Sequence, residues 1–111
     1  MNNKINLLDI DFHFGIGFLS TLLEGTGLNL VDLGKTEDAI LIPKLMYYSR
    51  VYATQREGKE VDFNMGDIFD LIDNNGGIGG EFWNSFSLAF SASMHKDVPK
   101  DETKKKATVK K

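Results

Sequence analysis

No cysteine occurs among the 111 residues. That absence removes disulfide frameworks, zinc ribbons, iron–sulfur sites and thiol nucleophiles together. No apolar run approaches the roughly 20 residues that a membrane helix needs. The N-terminus, Met1-Asn2-Asn3-Lys4, leads into a segment broken by Asp9 and Asp11 and not into a signal-peptide core. The expectation is a soluble, cytoplasmic protein. What is present is an apolar fraction of 41%, enough for the core of one small domain and too little chain for two. At this size about 65% of the unfolded surface can be buried, so folding needs no metal or disulfide, but the margin is thin and oligomerisation would help.

Positive charge is scarce over most of the chain. Residues 1–94 hold six Lys or Arg against thirteen Asp or Glu, a net of −7, whereas residues 95–111 hold seven Lys against three acids, a net of +4. The division is an acidic body, 1–94, and a Lys-rich tail, 95–111. The tail has Val98 and Val109 as its only large apolar residues, so it cannot bury enough to offset its ordering entropy and is expected to be disordered. It interleaves no aromatics for stacking on bases and hangs from an acidic body, which disfavours nucleic acid as a partner.

Residues 5–14 alternate, with Asn6, Leu8, Ile10, Phe12 and Phe14 on one face and Ile5, Leu7, Asp9, Asp11 and His13 on the other, as in a strand. Phe18, Leu19, Leu22 and Leu23 then adopt helical spacing, and Gly25-Thr26-Gly27 supplies a stop. Residues 28–33 are too short to assign by period and suggest a connector. Thr36 is placed to cap a helix whose first turn holds Glu37 and Asp38. Within that helix Pro43 either opens a new helix or kinks a continuous one. Leu41, Leu45, Tyr48 and Tyr52 form its stripe, with Lys44, Arg50 and Arg56 away from it and an end near Gly58. Asn64 is an N-cap for a helix bearing Met65, Ile68, Phe69 and Ile72, with Asp67, Asp70 and Asp73 on its wet side. Residues 74–80 contain four glycines in five positions and predict a hinge or tight turn. Phe82, Trp83, Phe86, Ala89, Phe90 and Ser93 then recur at helical spacing to about Met94. The expected fold is mainly α, an α+β arrangement with helix dominant: three to four helices and a short N-terminal β-strand or hairpin. A lone strand needs a partner, which residues 28–33, residues 60–63 or a second copy can supply.

Catalytic signatures are sparse. Asp9, Asp11 and His13 fall on one strand face at two-residue spacing, where they either converge on a divalent cation or an acid–base pair, or are simply the solvent face of a half-buried strand. As a calcium loop Asp9-x-Asp11 lacks the glycine at its sixth position and has Ser20 at its twelfth; Asp73-x-Asn75 fails likewise, with Ile78 and Asn84 there. Gly15-x-Gly17 and Gly77-x-Gly79 lack the third glycine and the lysine of phosphate cradles. Ser20, Ser85, Ser87 and Ser91 have no histidine partner nearby in sequence and no strained elbow. The reading is a non-enzyme, with no cofactor and no metal. The aromatic helix is core, the usual fate of such a stripe, or a partner groove in which Phe82, Trp83, Phe86 and Phe90 bind another chain, with Tyr47 and Tyr48 as weaker candidates.

Taken in order, five stretches resemble the tail assembly chaperones of long-tailed, siphovirus-type bacteriophages. They are the strand running into Phe12-His13-Phe14-Gly15-Ile16-Gly17-Phe18-Leu19, then Leu41-Ile42-Pro43-Lys44-Leu45-Met46-Tyr47-Tyr48, Asp67-Ile68-Phe69-Asp70-Leu71-Ile72-Asp73, Phe82-Trp83-Asn84-Ser85-Phe86 and the Lys-rich tail. The match spans roughly residues 5–94 and is one of packing motifs. The resemblance implies a small acidic helical protein that coats the tape measure protein in the host bacterial cytoplasm, keeps it soluble and leaves before the virion is finished. It also implies a homo-oligomer on the client. A longer, frameshifted form would recruit tail-tube protein. The alternatives are a small connector retained in the virion, a metal-dependent enzyme built on Asp9, Asp11 and His13, and a nucleic-acid binder using the tail beyond Met94.

Overall fold

A computed structural model describes residues 4–95, and among these the chain is mainly α with a two-stranded N-terminal hairpin. The order is β1 (Lys4–Leu7), β2 (Ile10–His13), α1 (Ile16–Thr26), α2 (Leu30–Lys35), α3 (Asp38–Arg56), α4 (Met65–Asp73) and α5 (Glu81–His95). The expected disorder of the Lys-rich tail falls, beyond His95, outside the described residues, and α5 runs one residue past the expected body.

The single strand expected over residues 5–14 is in fact folded back on itself. Leu8 and Asp9 both take left-handed backbone, with φ of 55° and 62°, which matches the two-residue turn whose twist suits a hairpin. The strand's partner is therefore its own other half, and neither residues 28–33 nor residues 60–63 nor a second copy is needed. Pairing of Lys4 with His13, Ile5 with Phe12, Asn6 with Asp11 and Leu7 with Ile10 also resets the faces. Ile5 and Leu7 join Ile10 and Phe12, while Asn6 joins Asp11 and His13, because directly opposed residues share a face.

The expected connector at residues 28–33 contributes to α2, a fifth helix. Asn29 caps it, accepting from the Asp32 N–H at 2.8 Å while the Asp32 carboxylate accepts from the Asn29 N–H at 3.1 Å. This reciprocal pair satisfies two otherwise unpartnered N–H groups, enough to hold a helix too short for periodicity to show. Thr36 does not cap α3: its hydroxyl donates back to the Asp32 carbonyl at 2.7 Å, and Glu37 occupies the cap position without a side-chain bond.

The α3 helix passes through Pro43 without ending, which settles the two readings in favour of one helix. It is the central element, packing on the hairpin, α1, α4 and α5. Its most buried residues include Ile42, Leu45, Met46, Ser49 and Ala53, so the expected stripe of Leu41, Tyr48 and Tyr52 is one flank of the buried face and not its centre. The Ser49 hydroxyl is satisfied inside the helix, donating to the Leu45 carbonyl at 2.6 Å. Tyr48 and Tyr52 face α1, where an added Cβ at Gly25 or Gly17 would run into the respective ring. Gly25 thus lies inside α1 as a point of close approach, and Gly27, with φ of 76°, makes the stop.

The core joins Phe12, Phe14, Phe18, Leu22, Leu45, Met46, Ile68, Phe82, Trp83 and Phe86. Phe86 sits edge-on to Phe12 and Phe14, with ring centroids 5.3 Å and 5.6 Å away, so α5 closes the hairpin's apolar face. Edge-to-face geometry of this kind adds about 0.5–1.5 kcal/mol per pair beyond area burial.

Candidate functional site

Of the aromatics expected to meet a partner, three are core. Phe82, Trp83 and Phe86 retain 5%, 6% and 0% of their exposure. Phe90 is half-buried against Phe14 and Phe18. Tyr47 packs edge-on to Phe63 and to Tyr48, and Tyr48 seats on Gly25. Phe82, Trp83 and Phe86 therefore form no open apolar surface, because the hairpin and α1 occupy the arc of α5 that the sequence left unassigned, while Phe90, Tyr47 and Tyr48 are half-buried. The glycine loop is the tight turn of the two expected forms.

Asp9, Asp11 and His13 are not brought together as a ligand set. Asp9 lies in the hairpin turn, and no group of three Asp, Glu, His or Cys able to hold a metal exists among the described residues. Asp11 accepts from the Asn6 amide at 2.9 Å, the main reason its carboxyl lies below the usual aspartate value, with the charges of Lys4 and Lys59 acting in the same direction. His13 lies edge-on to Tyr52 at 5.1 Å. Burial first, then the neighbouring Arg56 and Lys4 cations, hold its imidazole below the usual histidine value. Beside this face a groove of about 510 Å³ is lined by Asp9, Asp11, Glu57, Glu60 and Asp62 with Arg50 and Lys59 among them. Arg50 is committed to Phe63, its guanidinium carbon 4.0 Å from the ring centroid.

Two exposed apolar residues, Phe69 and Ile78, share one groove elsewhere, while Ile16, Leu30, Val31, Ile40 and Leu88 are exposed outside its lining. A groove of about 370 Å³ is lined by Ala39 and Pro43 of α3, Phe69, Ile72 and Asp73 of α4, Ile78 of the glycine loop and Trp83 of α5. Ile72 and Trp83 are buried, Phe69 is 50% exposed and Ile78 69% exposed. The apolar face of α4 is wider than α3 covers: Ile68 and Ile72 go to the core and Phe69, on the same expected stripe, is left beside them. Asp67, Asp70 and Asp73 are exposed, as the spacing predicts. The Asn64 cap holds as well, its side chain accepting from the Asp67 N–H at 3.1 Å. Sequence reasoning missed Ile78 because a loop residue has no period; its signal was an isoleucine standing alone among glycines.

Chemically, this groove offers an apolar floor and one carboxylate at its edge, a lining suited to binding an apolar side-chain row. No described helix is long and apolar enough to cross a membrane. Comparison with protein-family models, with curated proteins and with solved structures gives no match.

Proposed function

We propose that this chain is a tail assembly chaperone of a long-tailed bacteriophage, a non-enzyme that coats the tape measure protein in the host bacterial cytoplasm and leaves before the virion is complete. The observation that carries the proposal is an apolar groove on an acidic body. A long helical client with apolar stripes aggregates on its own, and its chaperone needs surface to cover those stripes together with net charge for solubility. Phe69 and Ile78 supply the first, and the excess of carboxylates over residues 1–94 supplies the second. The order of packing motifs from Phe12 to Phe86 is the other support. In this reading several copies line the client, and a longer frameshifted product brings tail-tube subunits to it.

Mass spectrometry of infected-cell lysates and of purified particles tests the proposal. The expected result is the chain together with the tape measure protein in assembling tails and its absence from finished virions. Stoichiometric recovery from finished virions would instead make it a structural connector.

A further inference from the structure

We propose that the groove between α3, α4 and the glycine loop seats one amphipathic helix of a partner that carries lysine or arginine beside its apolar anchors. The inference rests on the chaperone reading only for the identity of that partner; the chemistry of the seat stands on the groove itself.

Three observations carry it. The loop that carries Ile78 is pinned: Ile78 is at a corner of a turn closed by the Gly80 N–H donating to the Gly77 carbonyl at 3.1 Å. The Gly77 N–H donates to the Ile72 carbonyl at 2.9 Å, and the Asn84 amide donates to the Gly79 carbonyl at 2.9 Å. A Cβ on Gly80 would lie 2.7 Å from the Gly76 backbone, so the two ends of the loop touch. A held loop loses little freedom on docking, and preorganisation of this kind is what turns a modest apolar contact into binding. Second, Phe69 and Ile78 are large, exposed and on one groove with a buried floor of Ile72, Pro43 and Trp83, the form that receives helix anchors at i, i+3, i+4 and i+7. Third, the charge at the groove has one sign. Asp73 lines it, Asp70 is exposed nearly one turn earlier on α4, and among the described residues no lysine or arginine lines it. Two copies of this chain meeting here would set carboxylate against carboxylate, whereas a basic-flanked helix meets complementary charge.

Trp83, the single tryptophan, lies in the groove wall and reports occupancy by its fluorescence. The probe is a synthetic helix with leucine at i, i+3 and i+7 and lysine beside them, compared with a twin bearing glutamate in place of lysine. On the unaltered chain the lysine helix is expected to give a saturable change in emission, and the glutamate twin to bind about tenfold more weakly. Phe69→Ser with Ile78→Ser should weaken the lysine helix by about tenfold or more, Asp73→Asn by about two- to fivefold, and Leu88→Ser, on an exposed residue away from the groove, not at all. No saturable change, equal binding of the twins, or a serine variant that binds like the parent overturns the proposal. Sedimentation showing a dimer that the serine variant dissolves also overturns it, since a second copy is then the occupant. If that variant loses the helix yet still keeps the tape measure protein soluble on co-expression, the groove assignment falls and the chaperone reading stands.

Discussion

At Gly17 and Gly25 the helix-weakening residue is the one that fits. Replacing either by alanine in a helix ordinarily gains about 1 kcal/mol. Here the new methyl would enter the ring of Tyr52 or Tyr48, and Tyr52 is held by His13 on one side and by a 3.3 Å bond from Arg56 on the other. Gly17→Ala is therefore expected to reverse the usual sign and lose about 1–2 kcal/mol in urea unfolding. A gain would show that the ring turns aside freely. His13 gives a second expectation. Its folded-state value is depressed, so the fold favours the neutral ring: the stability it contributes is complete above 6.5, its ordinary value, and is lost as pH falls toward the folded value. Thermal melts should drop as pH falls below 6.5 and the drop should shrink in His13→Asn. Sequence showed Tyr48 and Tyr52 on the apolar stripe of a helix and His13 in a strand, but the seating of the two rings on Gly25 and Gly17 and of His13 against Tyr52 is tertiary and carries no local pattern.

Elements whose apolar period was long enough were legible. The spacing of Phe18 with Leu22 and of Ile68 with Ile72, and the Asn64 cap, place α1 and α4 with their buried faces. A hairpin stood beside a single strand as the two expected N-terminal forms; what did not show was where the chain reverses, because the turn is Leu8-Asp9 where Asn-Gly would have announced it, and continuous alternation hid the reversal. Leucine with φ of 55° is a costly choice. Leu8→Asn, which accepts that conformation more readily, is expected to raise unfolding free energy by about 1 kcal/mol, and an unchanged value would mean that the half-exposed Leu8 side chain recovers the cost by apolar burial. The aromatic helix was legible as an element and not as a surface. Which of its sides meets solvent depends on where the hairpin, α1 and α3 land, as the contacts of α5 with Phe12, Phe14 and Phe18 show.

At the scale of the molecule, an acidic body presents a held apolar rim where the sequence had offered only an aromatic stripe. Phe69 and Ile78, and not Phe82, Trp83 and Phe86, are the exposed apolar residues at this groove. Exposed aliphatic and aromatic residues on one groove are a liability for a chain working alone and an asset for one that works on another protein. The measurement that tests this most directly is co-expression with the tape measure protein encoded nearest its gene, followed by size-exclusion chromatography of the soluble fraction. The account predicts that the long protein becomes soluble and co-elutes with several copies of this chain only when the chain is present. A client that stays insoluble while this chain elutes alone would contradict it.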